Sequence, residues 1–346
     1  MYYIRIFDIN HNILDELSQY NTLASSVTLN ALSKCTFNVP LNSIKNTARN
    51  FLPFNLIEVW DNTFTYILYW GTIAFAVPDG SVLSVSCYGY LYLLQKTYAI
   101  GETITSNSIQ NVMVNEVANF NTTSLRTGSP RPKLVQNHVE TNTLMLSNVV
   151  YSDDNYYSRI TNICTAFNYD FDIDSNFNFN YYLRKGSNKP WFTINSGTVA
   201  DNVVGDPSYT QDTSNMANAI IYNGVLTAQD LVSQSIYGKI GAPTTVSSTG
   251  LSATDMTNAI YGELQRLAYP SVGIQCGVID SSQCPLSGVN AIGIGDSVTV
   301  NLPAFWGFNA LMRIIEIDTD YMTGIRTITF GNILYRNQPP QTKLYV

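Results

Sequence analysis

The 346 residues are 45% hydrophobic but only 12% charged, against about 25% in an average soluble domain, so Asn, Ser, Thr and 23 Tyr residues must supply the polar surface. A formal charge of −7 and a pI near 4.8 argue against a surface built to grip phosphate, since nucleic-acid binders clamp the backbone with Lys and Arg. Five cysteines (Cys35, Cys87, Cys164, Cys276 and Cys284), odd in number and without a CxxC, argue against a disulfide framework and for assembly in a reducing cytosol.

The length allows two or three domains at roughly 100 to 200 residues each. No apolar run reaches the ~18 residues of a spanning helix, and Met1-Tyr2-Tyr3-Ile4-Arg5 has neither a basic segment nor a cleavage site; a membrane span and a signal peptide are not expected. Residues 2–8 alternate Tyr2, Ile4 and Ile6 with Tyr3, Arg5 and Phe7, the period of a half-buried strand, and end at a polar turn, Asn10-His11-Asn12. Further strands are expected at 25–30 and 35–39, the second stopped by Pro40, which cannot donate to a ladder. Residues 56–61, 66–75 and 82–94 are rich in β-branched and aromatic side chains and are punctuated by Asp61-Asn62 and Pro78-Asp79-Gly80, so they read as three more strands.

The pattern then changes. In 107–120, Ile109, Val112, Met113, Val117 and Phe120 fall on one face at helical spacing. Tyr156, Ile160, Ile163, Cys164 and Phe167 repeat it behind Ser152-Asp153-Asp154, which suits a cap and first turn, with a Gly/Pro loop at 128–132 between the two helices. Phe171, Ile173, Phe177 and Phe179 alternate with Asp172, Asp174, Asn176 and Asn178, so a strand or hairpin follows, and 98–190 reads as an α/β insertion.

Strands return from Trp191, among them 219–222, ended by Asn223-Gly224. A helix is expected at 228–236, started by a capping-box-like Thr227 and Asp230. A second is expected at 253–268, with Ser252 and Asp255 at its start, Met256, Ala259, Ile260, Leu264 and Leu267 buried, and Pro270 beyond; 241–250 reads as the linker between them. After a strand at 272–279, residues 292–332 form a three-stranded meander. Val298, Val300 and Leu302 alternate in its first strand, 311–318 is the second, and Thr323-Gly324 turns the chain because Gly accepts the positive φ of a hairpin turn.

Chemistry is sparse. Gly295-Asp296-Ser297 resembles the nucleophile block of one class of lipases and esterases, but that class places its histidine after the serine, and His11 and His138 both precede it. The block therefore reads as a turn into a strand, and no G-x-S-x-G elbow occurs elsewhere. Asp172, Asp174, Asn176 and Asn178 have the spacing of a calcium loop but lack its Gly and Glu, where Phe177 and Leu183 stand. Gly293-x-Gly295 leads into a strand rather than the helix that a dinucleotide site needs, and Cys276 with Cys284 has no nearby His to complete a metal site. No catalytic, cofactor-binding or metal residue is expected. Tyr88, Tyr90 and Tyr92 have the spacing of an aromatic ladder on one strand face, as in carbohydrate-binding β modules, though packing within a sheet is the commoner use of such rings.

Taken in order, several blocks resemble the baseplate or tail hub proteins of long-tailed bacteriophages and related contractile injection machines. They are Phe37-Asn38-Val39-Pro40, Leu56-Ile57-Glu58-Val59-Trp60-Asp61, Trp70-Gly71-Thr72-Ile73 and Cys87-Tyr88-Gly89-Tyr90 in the first part. Later come Asp212 to Asn218, Ser235-Ile236-Tyr237-Gly238, Gly295-Asp296-Ser297-Val298, Arg313 to Ile317 and Ile328 to Asn332. The resemblance implies a mainly β fold with an α+β insertion: small β-barrel domains at 1–97 and 191–346, the second with a helical excursion at about 226–268, flanking α/β material at 98–190. It implies a homotrimer whose six similar barrels join a six-fold tail tube, or a distal tail protein, to a three-fold spike or receptor-binding tip protein. It also implies a channel that DNA crosses without specific binding, a neighbouring tape-measure protein, and a place in the virion after assembly in the host cytoplasm. The chain ends soon after the meander, at Val346, so a separate protein is expected to supply the spike. A carbohydrate-binding β module is the alternative reading, and a hydrolase built on Ser297 comes third.

Overall fold

In a computed structural model, the described residues are 2–43, 45–126, 132–141, 145–151, 154–167, 169–197, 202–246, 253–279, 291–304 and 307–331. Seven strands open the chain: β1 (Tyr3–Phe7), β2 (Ile13–Leu17), β3 (Thr22–Thr28), β4 (Lys34–Pro40), β5 (Leu56–Trp60), β6 (Ile67–Asp79) and β7 (Val82–Tyr88). Their period of two sends Ile4, Ile6, Leu23, Phe37, Val39, Val59 and Val85 into one core with Cys35 and Cys87. Between β1 and β2 the Asp8 carboxylate accepts from the backbone N–H of Asn10 and of Asn12, at 2.9 Å each, and His11 takes φ 65°. β2 escapes the periodicity reading because Asp15 and Glu16 stand side by side in it. Residues 82–94 do not stay extended: β7 stops at Tyr88, and α1 (Leu91–Gln95) buries Leu91, Leu93 and Leu94. A short apolar run fits a buried helix turn as well as a strand.

The middle of the chain holds β8 (Tyr98–Ala99), β9 (Glu102–Ser108), α2 (Ile109–Arg126), β10 (Val135–Val139), β11 (Met145–Tyr151), β12 (Asp154–Asn155), α3 (Tyr156–Phe167), β13 (Asp170–Ile173) and β14 (Asn178–Tyr182). The apolar faces expected for the two helices meet in one core with Phe171, Phe179 and Tyr181. α3 begins at an Asn155 cap, whose side chain accepts from the Ser158 N–H at 2.8 Å, one residue after the expected Asp154.

The last part holds β15 (Asn188–Asn195), β16 (Val203–Asp212), β17 (Ala219–Tyr222), β18 (Val225–Gln229), α4 (Leu231–Tyr237), β19 (Gly241–Pro243), α5 (Ala253–Leu267), β20 (Ser271–Ile279), β21 (Ser297–Leu302), β22 (Phe308–Asp320) and β23 (Ile325–Gly331). Asn223 (φ 51°) and Gly224 (φ 77°) close the β17–β18 hairpin with the two positive φ values of a type I′ turn. The helix expected from 228 starts later. Thr227 belongs to β18, and Asp230 alone caps α4 by accepting from the Ser233 N–H at 2.8 Å. Part of the expected linker is ordered, since Gly241–Pro243 pairs with β17, and Thr244 and the Thr245 N–H donate to Glu263 of α5. The loop at 127–131, Ser152, Asp153, residues 247–252, Cys284 and Asn332 lie outside the described residues. Among those described, no helix is long and apolar enough to cross a membrane.

Mainly β is the observed class, but the strands do not close into two barrels. They form one 13-stranded sheet, in the order β16-β20-β23-β22-β3-β4-β7-β6-β5-β1-β2, with β21 and β15 on a branch from β22. The reason lies in β22. Its first part pairs with β21, from Leu302↔Phe308 to Ser297↔Arg313, and its last part pairs with β3, from Glu316↔Thr28 to Asp320↔Ala24. A register irregularity between Ile314 and Glu316 in the pairing with β23 lies where the partner changes. Each half thus satisfies its exposed edge with the other half rather than with itself.

Candidate functional site: the seam and the junction beside it

At the seam, the Leu29 N–H donates to the Ile315 carbonyl at 2.9 Å and the Tyr321 N–H to the Leu23 carbonyl at 3.1 Å. Ser25 and Tyr321 share a buried hydroxyl hydrogen bond of 2.9 Å on the core face. On the other face, Ser26 and Thr28 hydroxyls donate to Glu316 at 3.3 and 3.1 Å. Paired positions run across the seam on that face as Thr327, Asp318, Ser26 and Lys34. A concavity of about 490 Å³ lies there, lined by these four together with Thr36 and Asp320 among others. Hydroxyls and carboxylates with one ammonium give a hydrated wall with weak attraction for a polyanion.

Beside the seam, the insertion is pinned to the last part of the chain by ion pairs. Arg313 of β22 pairs with Asp170 and donates to the carbonyls of Gly295 (3.2 Å) and Lys185 (3.0 Å). Lys185 in turn pairs with Asp172. Gly295-Asp296-Ser297 lies inside this junction, with Gly295 at φ 91°. Asp296 accepts from the N–H groups of Ser187 (2.8 Å) and Gly293 (2.9 Å) and pairs with Lys189 at 2.9 Å. Ser297 is fully buried and accepts from Arg184 at 2.6 Å. The backbones pass so close here that a Cβ on Gly186 would overlap the Gly295 carbonyl and one on Gly295 the Lys185 carbonyl.

The histidines are elsewhere. His11 lies 3.5 Å from Glu58, and His138 stacks on Tyr182 with ring centroids 4.7 Å apart. Ser297 is held by Arg184 rather than by either histidine, and the block works as a turn and anchor. In the calcium-like stretch, Asp174 accepts from the N–H groups of Asn176 and Asn178, and Asp172 is taken by Lys185 and Asn180. Among the described residues no group of three or more potential metal ligands occurs. The tyrosines do not form a ladder. Tyr88 and Tyr92 stack at 4.9 Å because α1 begins between them, while Tyr90 is buried and stacks on Phe177 at 4.4 Å.

Two features have no counterpart in the sequence reading. Glu116 of α2 is buried and faces Arg159 of α3 at 3.7 Å, with Glu102 sharing the guanidinium at 3.6 Å. Burial pushes Glu116 up to about 7, against the pull of Arg159 and with a push from Glu102. Its signal was a charge on the apolar stripe, four residues after Val112. The second feature is a cavity of about 360 Å³ where the first half, the insertion and the last part meet, and no local pattern announces it.

No family model and no curated protein matches the chain. Solved structures do match: the fold is the one found in phage tail proteins. Prophage tail protein gp18 from Listeria monocytogenes superposes with a TM-score of 0.64 at 16% identity, over 95% of this chain and 94% of its own. The tail protein from Neisseria meningitidis gives 0.64 at 13% identity, over 96% of both chains. A component of the Escherichia coli type VI secretion system, described as structurally similar to T4 phage tail proteins gp27 and gp5, gives 0.58 at 10% identity, over 97% of this chain and 78% of its own.

Proposed function

We propose that the chain is a structural, non-catalytic subunit of a phage tail tip or baseplate hub, carried in the virion and assembled in the host cytoplasm. The observation that carries this reading is a likeness to tail proteins that runs from end to end of both chains. In this reading the chain forms a homotrimer, with hub domains at 1–97 and 191–346 and the insertion at 98–190. The two strand-rich halves then supply six similar units, which meet a six-fold tail tube or distal tail protein on one side and a three-fold spike or receptor-binding tip protein on the other. The likeness to a secretion-system component itself similar to gp27 and gp5 supports partners of the tube and spike kind. DNA crosses the ring beside a tape-measure protein, and a chain of net charge −7 suits a wall that does not hold it.

Light scattering on the purified protein and cryo-electron microscopy of the virion test the reading together. The expected results are a particle of three times the 38.4 kDa chain mass and a three-fold ring at the tail tip. A stable monomer with no place at the tail tip would overturn it.

A further inference from the structure

The cavity at the three-way junction is walled by all three cores: Val27 and Leu68 from the first half, Phe171 and Ile173 from the insertion, Ile292 and Ile317 from the last part. At roughly 30 Å³ per heavy atom, its ~360 Å³ takes on the order of a dozen atoms. Water alone is a poor filling, because each buried water needs two to four polar partners and most of this wall is apolar. The wall also carries the Lys185–Asp172 ion pair, whose charges offset each other, and the side chains of Ser25, Thr28, Asn30, Ser33 and Thr319. Tyr69 and Tyr90 both line it, each is 1% exposed, and neither hydroxyl has a hydrogen-bond partner. Arg326 lines it too and is 8% exposed, which brings a buried positive charge to the same space. Burial pushes the Tyr69 phenol up first, and Cys35, Cys87, Tyr321 and Tyr90 stand near enough to add to it.

We propose that this cavity binds a small anionic amphiphile, an alkyl chain of about ten carbons or so bearing a carboxylate-like head. The chain lies against Val27, Leu68, Phe171 and Ile317, while the head accepts hydrogen bonds from Tyr69 and Tyr90 beside the charge of Arg326. Such an occupant satisfies both orphaned hydroxyls and fills a void that packed interiors avoid. Bound there, it touches every part of the chain and stiffens their mutual placement. The proposal does not depend on the tail reading, and its test needs only the isolated protein.

Isothermal titration of the full chain with dodecanoate, dodecanol and dodecyltrimethylammonium is the test. Dodecanoate is expected to bind one to one, with the cationic probe at least ~10-fold weaker because its charge is inverted next to Arg326. Tyr69→Phe and Tyr90→Phe, which keep the ring and the fold, should each weaken dodecanoate roughly tenfold while leaving the melting temperature unchanged or higher. Ala31→Phe, which adds a ring to the wall from a loop position, should abolish binding. No saturable binding, equal affinity for the two charged heads, or undiminished binding by both Phe variants would overturn the proposal.

Discussion

Glu116 carries the clearest residue-level consequence. Its folded pKa is raised from 4.5 to about 7, so the folded state holds this proton more tightly than the unfolded chain does. The associated stability is fully present below the unfolded value and is lost as pH rises through about 7, by on the order of 2–3 kcal/mol. Asp8 and Asp212, held low by hydrogen bonds from Asn12 and Ser214, act in the opposite direction: their stability is present above the usual carboxylate range and lost as pH falls through their lowered values. Urea midpoints should therefore peak in mildly acidic buffer and fall toward pH 8, and Glu116→Gln should flatten the alkaline side. Parallel slopes in the two proteins would count against Glu116 as the titrating group.

The cysteines make a second case at this scale. Cys35 and Cys87 face each other across β4 and β7 and are both buried. The Gly89 N–H donates to Ser33 and the Leu41 N–H to Ser81, which by alternation makes Cys35–Cys87 a hydrogen-bonded pair. Cβ atoms in such a pair stand about 5.5 Å apart, beyond the ~3.5–4.5 Å that a disulfide needs. Treatment with diamide should leave no Cys35–Cys87 linkage detectable by peptide mass spectrometry.

Among the elements, the seam between β3 and β22 decides how the halves cooperate. Leu29 and Tyr321 donate across it, so Val27, two positions from Leu29, also points its N–H into β22. Val27→Pro removes that donor from the middle of a sheet, a substitution that sheets tolerate only at edges. Calorimetry should then show two transitions where the parent chain shows one; a single unchanged transition would mean that the insertion alone couples the halves. The meander could be read from the sequence because Val298, Val300 and Leu302 alternate and Gly324 sits at φ 72° where a hairpin needs it. The same is true of α2 and α3, whose apolar faces repeat at helical spacing. The seam could not be read, since nothing in Val27 or Ile317 names a partner about 290 residues away, as the Ser26–Glu316 contact measures it. The resemblance implied two closed barrels, and no local pattern in β3 or β22 speaks against closure. The Gly295 turn was legible, whereas the cavity depends on three distant segments and the Glu116 pair on two helices meeting.

For the whole molecule, the first 97 residues are not a self-sufficient sheet. Cut away from the rest, they would expose the edge of β3 and uncover Trp70, whose indole N–H donates to Ile173 at 2.8 Å, and Tyr90, which stacks on Phe177. A fragment of residues 1–97 is expected to sediment as aggregate, and a soluble monomeric fragment with native-like circular dichroism would contradict this. Pairing ends so far apart in sequence also delays folding, because loop closure must precede the contacts that reward it.

The pairing of β22 with β3 also gives the molecule a direction of mechanical weakness. Tension along the strands would load the five paired positions from Thr28↔Glu316 to Ala24↔Asp320 in shear, so that they yield together. Tension across the sheet would open the same pairs one after another, as a zipper does, at far lower force. The strand directions of β3 and β22 therefore tell which pull this chain can transmit intact.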